Sequence, residues 1–455
     1  MKRVVVLGAG ISGLSTAWFL KQRFKDNIEL TVLEKSPHVG GWIKTIRKNG
    51  FLFELGPHSF RAAGGETTLQ LIEQLSMQDQ VIPAHAASRK RYFYCNQQLK
   101  QLPYNFWSGL ASPFTYKLIS AVLRDYFTSP KLLEDESIQS FATRRFGKIF
   151  TEEFIDPLVS GIYAGDIAAL SLKSCFPKWH QWEQKYHSII KGAFAKEKKA
   201  TELPPWMNPI KQAGIYTLRD GMHRLPNALG KKLESHITFN CSATTIHCQQ
   251  DKIEVTTSKG NTLQADFVFS ALPPAALSGI LTQNHADTAA LIKVSSASVA
   301  VVCLGYKKSL LKQSGFGYLV PSKEKESVLG VIWDSSVFPE QNSHSEETRL
   351  SVMLGGIHHP DIALLSQNEI YKIALDAVKR HLGITDSPEA FHIKIAMDAI
   401  PQYNVGHSQQ MQLIEEGVRK LSSQLICLGN AFGGVSINDC ITNSKFIVGS
   451  LEHIS

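Results

Sequence analysis

Three glycines and one acid near the start of the chain are spaced to hold a pyrophosphate and a ribose. Gly8-Ala9-Gly10-Ile11-Ser12-Gly13 is a G-x-G-x-x-G. Gly8 permits a tight turn, Gly10 lets backbone approach a phosphate, and Gly13 lets a helix pack closely on a strand. Ile11 and Ser12 open that helix, whose free N–H groups and positive dipole end suit phosphate oxygens. Glu34 stands about 20 residues further on, where an acid accepts from ribose hydroxyls, with Lys35 beside it. The elements that must position these residues are legible. Arg3–Leu7 is a charge-poor β-branched run, Leu14, Ala17, Trp18 and Phe24 mark one helical face, and Leu30–Leu33 is a second apolar run. A G-x-G-x-x-G alone occurs in many glycine-rich turns. Set between a strand and a helix, with its acid in place, it predicts dinucleotide binding.

FAD and NAD share this fingerprint. Gly40-Gly41-Trp42 follows the acid, a glycine pair that lets the chain fold back over a pyrophosphate, and it resembles flavoprotein oxidases of the amine-oxidase type. FAD is therefore the expected cofactor, bound non-covalently, since no cysteine or histidine stands in an evident flavinylation motif. Gly56-Pro57-His58-Ser59 forms a loop suited to hold chain against a flavin ring. Far down the chain, the apolar run Leu425–Leu428 leads into Gly429, and Val435, Ser436 and Ile437 then open a last helix. A second strand–glycine–helix aimed at one ligand also suits FAD.

At 455 residues the chain should form two or three domains, and 43% hydrophobic with 19% charged residues describes an ordered globular protein. The net charge of +8 fits an anionic small substrate or an acidic membrane surface. Basic blocks interleaved with aromatics are lacking, so nucleic acid is not an expected partner. The 7 cysteines are scattered without a C-x-x-C, which argues against a disulfide framework or a metal site. Met1-Lys2-Arg3 runs directly into the first strand, so no cleaved signal is expected. The long uncharged stretches 101–116 and 267–286 are broken by prolines. The expectation is a cytoplasmic protein, soluble or peripheral on the inner face of the cell membrane and not secreted.

Further along, Thr45–Glu54 reads as a hairpin about Asn49-Gly50, and Arg91–Leu99 as another. Residues 104–200 are helix-rich and aromatic (Phe106, Trp107, Phe114, Tyr116, Tyr126, Phe127), with helices expected at Ile138–Phe146 and Phe150–Val159. They form either a closed helical core or a surface that dips into a membrane interface. Lys191–Pro205 reads as an exposed loop. Strands are expected at Ser298–Tyr306, Phe316–Val320, Val328–Asp334 and Arg349–Leu354, then a helix at Glu369–Leu382.

With these blocks in hand, the chain resembles the FAD-dependent porphyrinogen oxidases that use molecular oxygen, and their protoporphyrinogen-oxidising members most closely. The most specific matches are Gly315-Phe316-Gly317-Tyr318-Leu319-Val320-Pro321 and Val435-Ser436-Ile437-Asn438-Asp439-Cys440-Ile441. The resemblance implies an α/β, amine-oxidase-like architecture: a Rossmann-type FAD domain (1–90, 212–275, 396–455), a mixed-sheet substrate domain (91–103, 276–395) and a helical, membrane-associating domain (104–211). It implies six-electron oxidation of protoporphyrinogen IX to protoporphyrin IX in haem biosynthesis, with hydrogen peroxide as co-product. Hand-off of the product to ferrochelatase, or a homodimer, would fit such an enzyme. By the same resemblance Arg91 binds a propionate, and Phe316, Gly317, Leu319, Met353 and Gly161 line the macrocycle. Without it, Arg91 is a surface hairpin arginine and the others are ordinary strand and helix positions. No histidine or carboxylate is assigned as a base. His58-Ser59 stands where animal members carry Arg-Gly, and Ser160 where they carry Arg. Those departures keep coproporphyrinogen III oxidation open. An amine oxidase or desaturase is a further alternative, though Phe432 stands without a paired aromatic.

Overall fold

The computed structural model describes residues 1–103, 112, 114–195, 204–249, 252–281 and 284–451. Phe106, Trp107 and residues 196–203 of the expected Lys191–Pro205 loop lie outside them.

The glycine fingerprint sits on a five-stranded, wholly parallel sheet. Its strands, in spatial order, are β10 (Ile237–Thr238), β2 (Ile28–Leu33), β1 (Lys2–Leu7), β14 (Phe267–Ser270) and β20 (Leu425–Cys427). β1 is central, with Val4 and Val6 on one face and Val5 and Leu7 on the other, all buried. That is why its sequence is β-branched throughout rather than alternating. Helices Ile11–Phe24 and Ile437–Ser450 pack together over one face, where Ser444 Oγ donates to the Ser12 carbonyl at 3.1 Å. The meander β11 (Ala243–Cys248), β12 (Ile253–Thr257) and β13 (Thr262–Ala265) closes over the other side.

The second large layer is a mixed seven-stranded sheet. In order it runs β19 (Ala390–Pro401), β15 (Ser296–Tyr306), β18 (Thr348–Gly355), β17 (Val328–Ile332), β16 (Gly317–Leu319), β7 (Tyr92–Cys95) and β8 (Gln98–Gln101). Helix Gln367–Leu382, opened by a Ser366/Glu369 capping box, covers one face through Ile370, Ala374, Ala377 and Val378. The other face meets the hairpin β3 (Thr45–Lys48) and β4 (Phe51–Glu54), where Phe51, Phe53 and Leu55 pack on Val301 and Cys303. Asn49 and Gly50 turn that hairpin at φ 52° and 92°, as the Asn-Gly pair predicts. A three-stranded sheet of β5 (Phe60–Arg61), β9 (Ile215–Leu218) and β6 (Val81–Pro83) ties the loop after β4 to the fingerprint core.

The helical region has its own core about Phe141, Val159, Leu170 and Leu172. Within it Arg145, fully buried, donates from Nε and Nη2 to one oxygen of Glu183 at 2.9 and 2.6 Å. Several expected bounds shift. The Phe150–Val159 helix is interrupted by a π turn, Thr151–Ile155, before helix Asp156–Tyr163. Pro157 explains this, because it lacks an N–H and its ring crowds the carbonyl four residues back. The Val328–Asp334 strand stops at Ile332, since Asp334 heads a short helix. Strand β19 and helix His407–Leu421 were not anticipated.

Candidate cofactor and substrate cleft

The fingerprint glycines take the forms their roles require. Gly8 has φ 95°, and a Cβ on Gly13 would stand 1.9 Å from the Gly8 carbonyl oxygen. A Cβ on Gly10 would meet nothing within 4 Å. Gly10 thus faces open space at the amino end of helix Ile11–Phe24, which is room for a phosphate. Gly40 joins this edge, donating its N–H to the Ala9 carbonyl at 2.9 Å, and Gly41 lies across Gly10.

Glu34 is 8% exposed. Its carboxylate accepts from the Ala9 N–H at 2.7 Å and from the Ser36 N–H and hydroxyl at 2.9 and 2.8 Å. It therefore braces the turn as well as presenting oxygens to a ribose. Lys35 is exposed, and Trp42 is 40% exposed.

The carboxy-terminal glycine turn meets the same cleft. Gly429 has φ 118°, and its nearest outside neighbour is Ser12 Oγ. Ser436 caps the helix that begins at Ile437, sharing a reciprocal capping box with Asp439. Val435 packs partly buried against the helical core. Tyr403 pins the turn: its hydroxyl donates to the Asn430 carbonyl at 2.5 Å and accepts from the Gly434 N–H at 3.0 Å.

Residues 56–61 cross between these two ends. Gly56 abuts the Trp42 carbonyl so closely that a Cβ would stand 2.0 Å from it. At the far end the Arg61 carbonyl accepts from Asn438 at 2.8 Å. Pro57, His58 and Ser59 lie part-buried between. His58 Nδ1 is 3.0 Å from Asp334 Oδ1, and Ser351 donates to the other Asp334 oxygen at 2.7 Å. Burial works to lower the His58 pKa, but the charges of Asp334 and Glu54 outweigh it and raise it. Burial also pushes Glu54 up to about 7, against its bonds from Thr45 and the Met222 N–H. Arg349 completes the cluster, paired with Glu347 at 2.7 Å. Sequence reasoning assigned no role to Asp334, Arg349 or Tyr403.

On the sheet face turned toward this cluster, Leu319, Gly330, Met353 and Val301 stand opposite one another across four strands. Leu319 lies over Gly330, where a Cβ would stand 2.9 Å from Leu319 Cδ2, and it also reaches Gly161 on helix Asp156–Tyr163. Gly317 is held at φ 133° with Val331 O where a Cβ would be, so the strand entry admits only glycine. Arg91 reaches solvent and stacks 4.9 Å from the Phe316 ring. Partial burial lowers its pKa, and among the described residues no carboxylate pairs with it. Of the expected substrate residues, Arg91 meets Phe316 and Leu319 meets Gly161, while Phe316, Leu319 and Met353 belong to separate apolar clusters.

The comparisons with known proteins agree with this geometry. The family model for flavin-containing amine oxidoreductases matches residues 11–422. The chain is 34% identical to the protoporphyrinogen oxidase of Bos taurus over 98% of this chain and 97% of the relative. It is 30% identical to the coproporphyrinogen III oxidase of Bacillus subtilis (strain 168), again over 98% and 97%. Among solved structures, one from Exiguobacterium sp. 255-15 superposes with a TM-score of 0.83 at 23% identity, covering 99% of this chain and 98% of that one. Putrescine oxidase bound to putrescine gives 0.68 at 13%, over 98% of each chain. With its open phosphate cradle, ribose acid and second capped helix, the chain belongs to the flavin-containing amine oxidoreductase family, in its porphyrinogen oxidase branch, and FAD is its cofactor.

Proposed function

We propose that the chain oxidises protoporphyrinogen IX to protoporphyrin IX with molecular oxygen, as a step of haem biosynthesis. The observation that carries this reading is the apolar row Leu319–Gly330–Met353, beside Gly161 and edged by Arg91, which stacks on Phe316 and meets no carboxylate among the described residues. A large apolar macrocycle with propionates at one end needs such a surface, with a cation at its rim. FAD, when bound, would supply two-electron redox chemistry with oxygen as acceptor and hydrogen peroxide as co-product, so that three rounds would account for the six electrons. The chain's part is positioning. Gly10, Gly41 and the two helix ends at Ile11 and Ile437 hold phosphates, Glu34 and Lys35 the ribose end, and residues 56–59 the ring end. Arg91 fixes one propionate, which sets which meso carbon is presented. No side-chain base is assigned, and substrate ring nitrogens can shed protons by tautomerisation. The division into FAD, substrate and helical units given above belongs to the same reading.

The similarity to a coproporphyrinogen III oxidase gives the second reading its support. Aerobic incubation with each porphyrinogen, followed by porphyrin fluorescence, decides between them. Faster turnover of the four-propionate substrate would reverse the preference, and no fluorescence from either would end the proposal.

The helical unit also supports peripheral attachment to an anionic membrane face. Helix Thr115–Phe127 exposes Tyr116 (67%), Ile119, Leu123, Tyr126 and Phe127 (77%) as one stripe, with Arg124 and Lys191 at its edge. Among the described residues no helix is long and apolar enough to cross a membrane.

A further inference from the structure

We propose that His58, held by Asp334, supplies the positive charge that answers the negative charge a flavin ring gains on taking up two electrons. This rests on reading the cleft as the FAD site. Three observations of geometry carry it.

First, the segment bearing His58 is strapped at Trp42 on one side and at Asn438 on the other, so it spans the cleft between the phosphate-facing ends. Second, the imidazole is 8% exposed, and Nδ1 faces Asp334 at 3.0 Å. That contact fixes Nδ1 as a donor and turns Nε2 to the far side of the ring. Third, Nε2 is buried and, among the described residues, has no hydrogen-bond partner. The chain's own atoms cover it, so the charge of the imidazolium acts on a flavin ring through space and not through a hydrogen bond.

The surrounding charges decide the sign. Asp334 faces the ring from the short helix after β17, Glu54 from β4 and Arg349 from β18. Glu347 compensates Arg349, and Ser351 takes the second Asp334 oxygen. The net field at His58 is therefore anionic, and its raised pKa agrees. A fixed cation beside a flavin favours the reduced form. The electron account balances without a further reagent. The substrate loses a hydride and a proton, the electron pair passes through the flavin to oxygen, and both protons end on hydrogen peroxide.

The test is the midpoint potential of the FAD-loaded protein, read from flavin absorbance against redox dyes between pH 5.5 and 8.5. His58→Gln should lower the potential by about 30 mV, a tenfold change in the oxidised-to-reduced ratio for a two-electron couple, at every pH. Asp334→Asn should lower it at pH 8 and recover as pH falls and the imidazole protonates again. An unchanged potential in fully loaded His58→Gln overturns the proposal, as does an equal, pH-independent shift in both variants. Should either variant fail to fold, nitrogen NMR of the wild-type holoprotein decides. Both His58 nitrogens should carry protons at pH 7.5, and a neutral ring overturns the proposal. Purified protein that takes up no FAD would instead sink the reading of the cleft.

Discussion

Leu319 fills the space that a side chain on Gly161 would need: a Cβ there would stand 2.6 Å from Leu319 Cδ2. The neighbour is the far end of a flexible side chain, so Gly161→Ala should fold. Helix propensity even favours it by about 0.8–1 kcal/mol. Leu319 already covers Gly330, so the displaced side chain must swing further out across the proposed macrocycle surface. KM for the porphyrinogen should rise about two- to tenfold with FAD content unchanged, as steady-state fluorimetry would read. An unaltered KM would place the macrocycle elsewhere.

Arg91→Ala removes a charge-assisted bond to a propionate, roughly 1.5–3 kcal/mol. KM should rise about ten- to a hundredfold while the flavin stays bound, and Lys at 91 should recover only part because it loses the planar fork. Kinetics at full FAD occupancy checks this. If KM holds, another cation takes the propionate, with Arg61 the first candidate.

Gly10→Val and Gly13→Val should separate cofactor binding from folding. The open space at Gly10 lets valine enter the apoprotein without a clash, yet it fills the phosphate cradle. That variant should purify folded and colourless. At Gly13 the Gly8 carbonyl leaves no room, and soluble yield itself should collapse. In the wild type, acid precipitation should release the flavin into the supernatant.

Glu54 sets a pH dependence of stability. Its folded pKa of about 7 lies above the ordinary 4.5. Its stabilisation is thus fully present below pH 4.5 and lost as pH rises through 7. Glu54→Gln keeps an acceptor for Met222 and removes the titration. The Tm of the variant should vary less between pH 5 and 8 than that of the wild type, and should exceed it at pH 8. The difference amounts to at most roughly 3 kcal/mol. Parallel Tm curves would show that Glu54 stays ionised throughout.

Replacing Ile119, Leu123 and Tyr126 by serine removes the centre of the exposed stripe without touching a buried residue. Flotation with anionic liposomes at low salt should recover wild type at the lipid layer and leave the variant at the bottom. Wild type that stays at the bottom would rule out membrane attachment.

The turns and helix starts that frame the proposed cofactor site were legible in the sequence because their demands are local. A glycine at φ 95°, an Asn-Gly hairpin turn and a Ser-x-x-Asp helix cap each write themselves within a few residues. The strands of the second sheet were legible for the same reason, with bounds off by a few positions. Strand β19 was missed even though Phe391-His392-Ile393-Lys394-Ile395 alternates apolar and polar residues, because that run is short and the rest, to Pro401, does not continue it. His58 and Asp334 were illegible as a pair: 276 positions separate them, and neither sits in a pattern that demands the other. The Pro157 break was readable in principle, since proline inside a helical run always disturbs the turn before it.

The five-stranded sheet has a consequence for biosynthesis. Strand β1 is made well before its neighbours, β14 from residues 267–270 and, next in the sheet, β20 from 425–427. The Ser12–Ser444 contact closes a span of 432 positions. At about 5–20 residues per second, the ribosome leaves the fingerprint without its second helix for some twenty seconds to more than a minute. During that time an apolar strand edge stands unpaired, a template for pairing with the wrong chain. Completion of the flavin cleft thus waits for the helix Ile437–Ser450, and chaperone supply and free FAD should govern the yield of active protein more than translation rate does.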